Sequence, residues 1–190
     1  MPTTPAVKTA PRFDRTAAAI LDGAAHVFSE HGAGANLATV AAAAGVSRAT
    51  LYRYYPNREA LLEALAAYAL AEAASRLEEA GLEQAEVEEA IERIVRALVA
   101  LGDRFTILVG EQIECDDADK KRLEAPMRAV TERGIAAGVL RQDLSTDVLL
   151  ELFGATIMGA IKLKQHLQVG IEEASAAASS LFLDGARPRH

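Results

Sequence analysis

The sequence predicts an all-α chain of about nine helices, with short helices near the N-terminus and long ones behind them. Three observations carry that prediction. Aromatic residues make up 5% of the chain and Trp is absent, so the aromatic and β-branched runs that strands prefer are missing. Apolar residues account for 51% and recur at three- and four-residue spacing, the period of a helix with one buried face. Gly, Pro, Asn and Ser fall at helix-length intervals, as start and stop signals do. A chain of 190 residues suits one large domain or a small one fused to a larger one, and can bury a real core.

Residues 1–10 mix Pro, Thr and Ala without period and are expected to form a mobile arm. A first helix is predicted from Pro11 to His31, since Pro is tolerated in a first turn. Its apolar stripe is Phe13, Ala17, Ile20, Ala24, Val27 and Phe28, and Gly32 and Gly34 end it. Asn36 is placed to cap a short helix, Leu37 to Ala44, which Gly45 breaks. Ser47 caps the next, Arg48 to Tyr55, and Pro56 stops it. Asn57 then caps a long helix towards Gly81, roughly 35 Å in length at 1.5 Å per residue. Leu61, Leu62, Leu65, Tyr68 and Ala69 mark its inner face. Further helices are predicted over Gln84–Leu101, Asp103–Ile113, Asp117–Ala137 (bent near Pro126), Asp147–His166 and Ile171–Leu183.

The formal net charge of −7 argues against a general nucleic-acid coat, yet the charge is uneven. Residues 1–60 hold six Lys/Arg and four acids, which leaves −9 on the remainder. A mildly basic end on an acidic body fits contact with DNA at one end only. The one cysteine, Cys115, cannot form an internal disulfide and indicates no oxidising compartment. The N-terminus has no apolar signal core. The longest apolar stretch, Val148 to Leu163, contains Glu151 and Lys162 and falls short of the ~20 residues of a membrane span. A soluble cytoplasmic protein is the expectation.

The stretch Asn36 to Tyr55, NLATVAAAAGVSRATLYRYY, is the informative one. Two short helices can cross closely here because Ala41 offers a small surface, and Gly45 accepts the positive φ of the turn. Leu51 pins the second helix, with Val46 and Tyr55 helping to bury that face. This spacing is that of a helix-turn-helix. With Leu51 inward, Ala49 and Arg53 point outward and Thr50 and Tyr52 flank them. Arg48 lies in the first turn, where recognition helices meet base edges, and its paired donors suit guanine. The hydroxyls of Thr50, Tyr52 and Tyr54 suit phosphate oxygens, as do Arg58 and the helix N-terminus at Asn57.

The run AAAAGVSRATLYRYYPNREALLEAL resembles the signature of the TetR family: small residues, Gly-Val-Ser, Thr-Leu-Tyr, an aromatic pair, and a Glu-x-Leu-Leu helix entry. The segment before it, ending at Gly32, is similar to that family's first helix. The resemblance covers residues 12–70. It implies DNA contacts from Arg48, Ala49, Thr50, Tyr52, Tyr54 and Arg58, with Thr39 near the start of the second helix; Ser47, Arg53 and Asn57 complete the candidate DNA-binding set. Ala38 stands where some members carry a DNA-contacting Arg, so that contact is expected to be absent. Asn36 replaces the more usual Thr cap, and Ala49 a frequent Gly. The expected organisation is an arm at 1–10, a DNA-binding domain at 11–57 and a helical domain at 58–190.

The resemblance also implies that this second domain binds a small molecule and dimerises. Pocket candidates are Phe105, Leu108, Val109, Gln112, Met127, Val130 and Phe153. Dimer candidates are Leu149, Leu152, Thr156, Ile157, Ala160, Ala174, Ala178 and Leu181, on two helices rich in small residues. The expected function is a homodimeric repressor that holds a palindromic double-stranded DNA operator and is released by a small-molecule effector. The other reading is a helical carrier or scaffold whose helix-turn-helix is vestigial. No nucleophile–base–acid set, phosphate-cradling loop or metal spacing is apparent, so neither an enzyme nor a cofactor is expected. Asp116, Asp117 and Asp119 lack calcium-loop spacing and favour a helix N-terminus instead.

Overall fold

The computed structural model describes residues 15–32, 34–102 and 116–188. The expected arm at 1–10, the first helical turn from Pro11, the helix Asp103–Ile113 and Cys115 lie outside these residues. Among the described residues there are eight helices and no strand. They are α1 Arg15–His31, α2 Leu37–Ala43, α3 Arg48–Tyr54, α4 Arg58–Glu79, α5 Val87–Ala100, α6 Asp117–Ala136, α7 Thr146–Leu167 and α8 Ile171–Ala186. By contacts the chain divides into two compact units, residues 1–61 and 62–190.

In the first unit α1 packs on α2, and α2 on α3. Ile20, Ala24, Val27 and Phe28, the stripe the sequence pattern marks out on α1, are buried, as are Val40 and Ala41 of α2 and Leu51 of α3. Each short helix starts on a side-chain cap. Asn36 Oδ1 accepts from Ala38 N–H at 2.8 Å and Ser47 Oγ from Thr50 N–H at 3.1 Å. Asn57 Oδ1 likewise accepts from Ala60 N–H at 2.8 Å to open α4. Such caps satisfy donors that have no partner inside the helix.

The second unit is built around α5, which packs on α6, α7 and α8. Val87, Ile91, Ile94, Val95 and Leu98 are buried along it. Phe153 of α7 and Phe182 of α8 stack with ring centroids 4.4 Å apart. α5 begins three residues later than the sequence predicts because the preceding loop is held from outside. Arg133 donates to the carbonyls of Leu82 (2.9 Å), Glu83 (3.1 Å) and Ala85 (2.9 Å). Arg93 donates to those of Ala80 (2.8 Å) and Gly81 (3.3 Å). α6 runs unbroken through Pro126. No described helix is long and apolar enough to cross a membrane.

Candidate nucleic-acid interface

The turn between α2 and α3 is closed by backbone geometry. Gly45 sits at φ +67°, a conformation open to Gly and strained for other L residues. Its N–H donates to Ala42 O at 3.1 Å, and Val46 N–H donates to Ala41 O at 2.9 Å. Ala41 and Leu51 are fully buried beneath, so one face of α3 is fixed inward.

The opposite face of α3 is open. Arg48, Ala49, Tyr52 and Arg53 are exposed, as are Thr39 on α2 and the capping Ser47. Thr50 and Tyr54 are half-buried at the edges. The Arg53 guanidinium lies 5.4 Å from the Tyr54 ring centroid, an arrangement in which ring and cation attract. No Asp or Glu occurs between Glu30 and Glu59, so the two α3 arginines stand in a stretch of chain without acidic competitors. An uncompensated positive surface on a short exposed helix suits phosphate oxygens and base edges.

Three expected contacts are already engaged inside the unit. The Ser47 and Asn57 side-chain oxygens serve as caps. Arg58, expected at a phosphate, instead donates to Ala35 O at 2.6 Å and Gly34 O at 3.4 Å, and lies 5.8 Å from the Phe28 ring centroid. A guanidinium committed to two carbonyls and a ring face braces the α1–α2 connection, so Arg58 is a support for the surface more than a part of it. Gly23 is a further support that the sequence analysis missed. A Cβ there would fall 2.9 Å from Ala44 N, so α1 lies directly against the turn. A glycine inside an otherwise good helix pattern was the available signal.

The body residues divide differently. Met127, Val130 and Phe153 are buried in the core of the second unit, whereas Phe105, Leu108, Val109 and Gln112 lie outside the described residues. Met127 also reaches a cleft of about 360 Å³ lined by Leu70, Leu123 and Leu150, with Arg128 and Glu151 among its polar groups. Of the dimer candidates, Leu149, Ile157, Ala160, Ala174 and Ala178 are buried in the chain's own core. They face inward because the apolar arc of each helix is wider than one stripe, and the core takes its centre. Leu152 and Leu181 remain 51% and 72% exposed, and Thr156 is half-buried.

A short helix pair locked by Ala41, Gly45 and Leu51, with an open cationic second helix, defines a helix-turn-helix DNA-binding protein. Residues 20–65 match the family of bacterial regulatory proteins of the tetR type. The chain is 36% identical over 140 residues to the HTH-type transcriptional repressor LfrR of Mycolicibacterium smegmatis, covering 69% of this chain and 73% of that one. It is 28% identical over 159 residues to the HTH-type transcriptional regulator NfxB of Pseudomonas aeruginosa, covering 80% and 84%. The crystal structure of LfrR in complex with proflavine superposes with a TM-score of 0.70 at 28% identity, over 90% of this chain and 97% of that one. The chain belongs to the TetR family and is a transcriptional regulator with a DNA-binding helix-turn-helix.

Proposed function

We propose that the chain is a homodimeric repressor that holds a palindromic operator through α3 and is released by a small molecule. The observation that carries the reading is the exposed α3 face with Arg48 and Arg53 in a stretch without carboxylates. Arg48 and Ala49 meet base edges, while Thr39, Thr50, Tyr52 and Tyr54 hold phosphates.

Dimerisation is supported by what is left uncovered. Val148, Leu152, Ala155 and Gly159 form one exposed stripe on α7, and Ala177, Leu181 and Gly185 another on α8. A Cβ at Gly159 or Gly185 would meet nothing within 4 Å. A helix-interior glycine such as Gly159 costs about 0.5–1 kcal/mol relative to Ala, and no packing among the described residues requires it or Gly185. Close approach of a second copy gives both a reason. Leu181→Asp is expected to yield a monomer in sedimentation, with operator affinity falling alongside.

The effector reading rests on the α4–α6–α7 cleft and on the proflavine complex of the 36%-identical relative. The cleft's carboxylates, Glu124, Asp147 and Glu151, outnumber its cations, Lys120 and Arg128, over an apolar floor, which suits a flat, positively charged molecule. An effector acts only by binding one conformation better than the other.

The test is selection of genomic fragments by the purified protein at near-physiological salt, followed by footprinting. A protected near-palindrome is expected, with affinity falling steeply as salt rises. Thr50→Ala and Tyr52→Ala should each weaken it by about 1–3 kcal/mol without lowering the melting temperature. Undiminished affinity in both variants would sink the contact assignment. No enrichment with or without proflavine would favour the carrier reading.

A further inference from the structure

A second cavity, of about 340 Å³, lies between α5 and α8. None of its lining residues belongs to the α4–α6–α7 cleft or to the exposed apolar stripes of α7 and α8. We infer that this groove is a separate small-molecule site that takes an organic ammonium ion, of the diamine type.

Charge selects the class of guest. Four carboxylates and two guanidinium groups line the groove, a net of −2. Both guanidinium groups are already held by acids. Arg187 reaches Glu88 at 3.0 Å and Asp184 at 2.9 Å, and Arg96 reaches Glu172 at 2.9 Å. An anion would have to displace those carboxylates. Glu92, on α5, forms no ion pair among the described residues and is the carboxylate open to a cation.

A buried hydroxyl points the same way. Ser175, on the groove wall, is only 4% exposed, and its Oγ has no hydrogen-bond partner. Burying a hydroxyl without a partner is destabilising, and an ammonium N–H would give the Ser175 oxygen, an acceptor as well as a donor, a partner. Ser179 beside it is equally buried. No three His, Cys, Asp or Glu converge as a metal cage among the described residues. A guest with several N–H donors spread along its length matches hydroxyls and a carboxylate arranged along a groove.

Calorimetric titration of the full chain with 1,4-diaminobutane tests this, with n-butylamine and acetate as comparators. Saturable binding of one diamine per chain is expected, weaker for the monoamine and absent for acetate. Glu92→Gln should weaken diamine binding about tenfold, the scale of one charge-assisted hydrogen bond. Ser175→Ala should weaken it too, while melting at or above the parent temperature without diamine because it removes an unpartnered hydroxyl. Glu151→Gln, in the other cleft, should leave the titration unchanged. Failure to saturate at millimolar diamine, or equal affinity in Glu92→Gln, would overturn the assignment. So would loss of binding in Glu151→Gln, which would move the diamine to the α4–α6–α7 cleft.

Discussion

In the first unit, helix starts are secured from next door: Asn36, Ser47 and Asn57 each accept a backbone N–H two or three residues on. In the second unit α6 and α7 also open on local caps, Asp116 accepting from Ala118 N–H and Ser145 from Val148 N–H, but α5 has no side-chain cap and the loop before it is held at a distance. Arg133 reaches back 48 to 51 residues to three carbonyls, and Arg93 reaches back 12 and 13 residues to two. Short-range closure makes a small reading head whose geometry depends on few other parts. Long-range pins instead make the connection between α4 and α5 depend on α6, far away in the chain.

The sharpest break in that comparison is Arg133→Met, which keeps the alkyl chain and removes the fork. Three carbonyls, two of them partly buried, lose a charged donor at once. The expected loss is about 2–3 kcal/mol in the second unit, since a bond to a charged group contributes roughly 1.5–3 and water recovers part of the rest. Denaturant titration followed by far-ultraviolet dichroism would measure it. A loss below about 0.5 kcal/mol would mean the pin is ornamental, because surface changes away from such features fall in that range. Arg133→Lys should recover only part of the loss, since one ammonium cannot match a planar fork.

The same contrast explains what the sequence made readable. Caps, the Gly45 turn and the Leu51 anchor are patterns within twenty residues, so spacing alone locates them. Helix identity in the body was equally plain from period, and the ends of α6 and α7 fall within a residue of expectation. Three things were hidden because they depend on contacts far apart in the chain. The late start of α5 follows from Arg133 and Arg93. Arg58 braces Ala35 instead of lying open to phosphate, which depends on α1 and α4 converging. Leu149, Ile157, Ala160, Ala174 and Ala178 face the core because α5 packs on both α7 and α8, and periodicity cannot say which arc of an all-round apolar helix lies inward.

Gly23 sharpens the comparison from the other side, as a long-range constraint inside the locally built unit. Gly23→Ala places a methyl 2.9 Å from Ala44 N and 3.1 Å from Ala44 Cβ. Overpacking of this kind costs about 1–3 kcal/mol, and the gain in helix propensity offsets up to about 1. A net loss of about 1–2 kcal/mol is expected, with operator affinity falling because the displaced atoms adjoin Gly45. Gly159→Ala, at an open position in the body, should raise or preserve the stability of the isolated subunit. Equal effects at the two glycines would contradict the close approach of α1 to the turn.

The smallest effect isolates the cap from the contact. Ser47 Oγ accepts from Thr50 N–H at 3.1 Å and lies 2.9 Å from Thr50 Oγ1. Ser47→Ala should therefore cost about 1 kcal/mol, the usual value of a lost cap. Ser47→Asp keeps an acceptor and favours the helix dipole, so it should melt near the parent temperature. It also sets a carboxylate beside Arg48 in a stretch of chain that has none. If this end of α3 meets phosphates, Ser47→Asp should bind a footprinted fragment at least about tenfold more weakly while remaining folded. Operator affinity that tracks stability in both variants would instead reduce Ser47 to a cap and move the DNA-facing edge towards Tyr52 and Arg53.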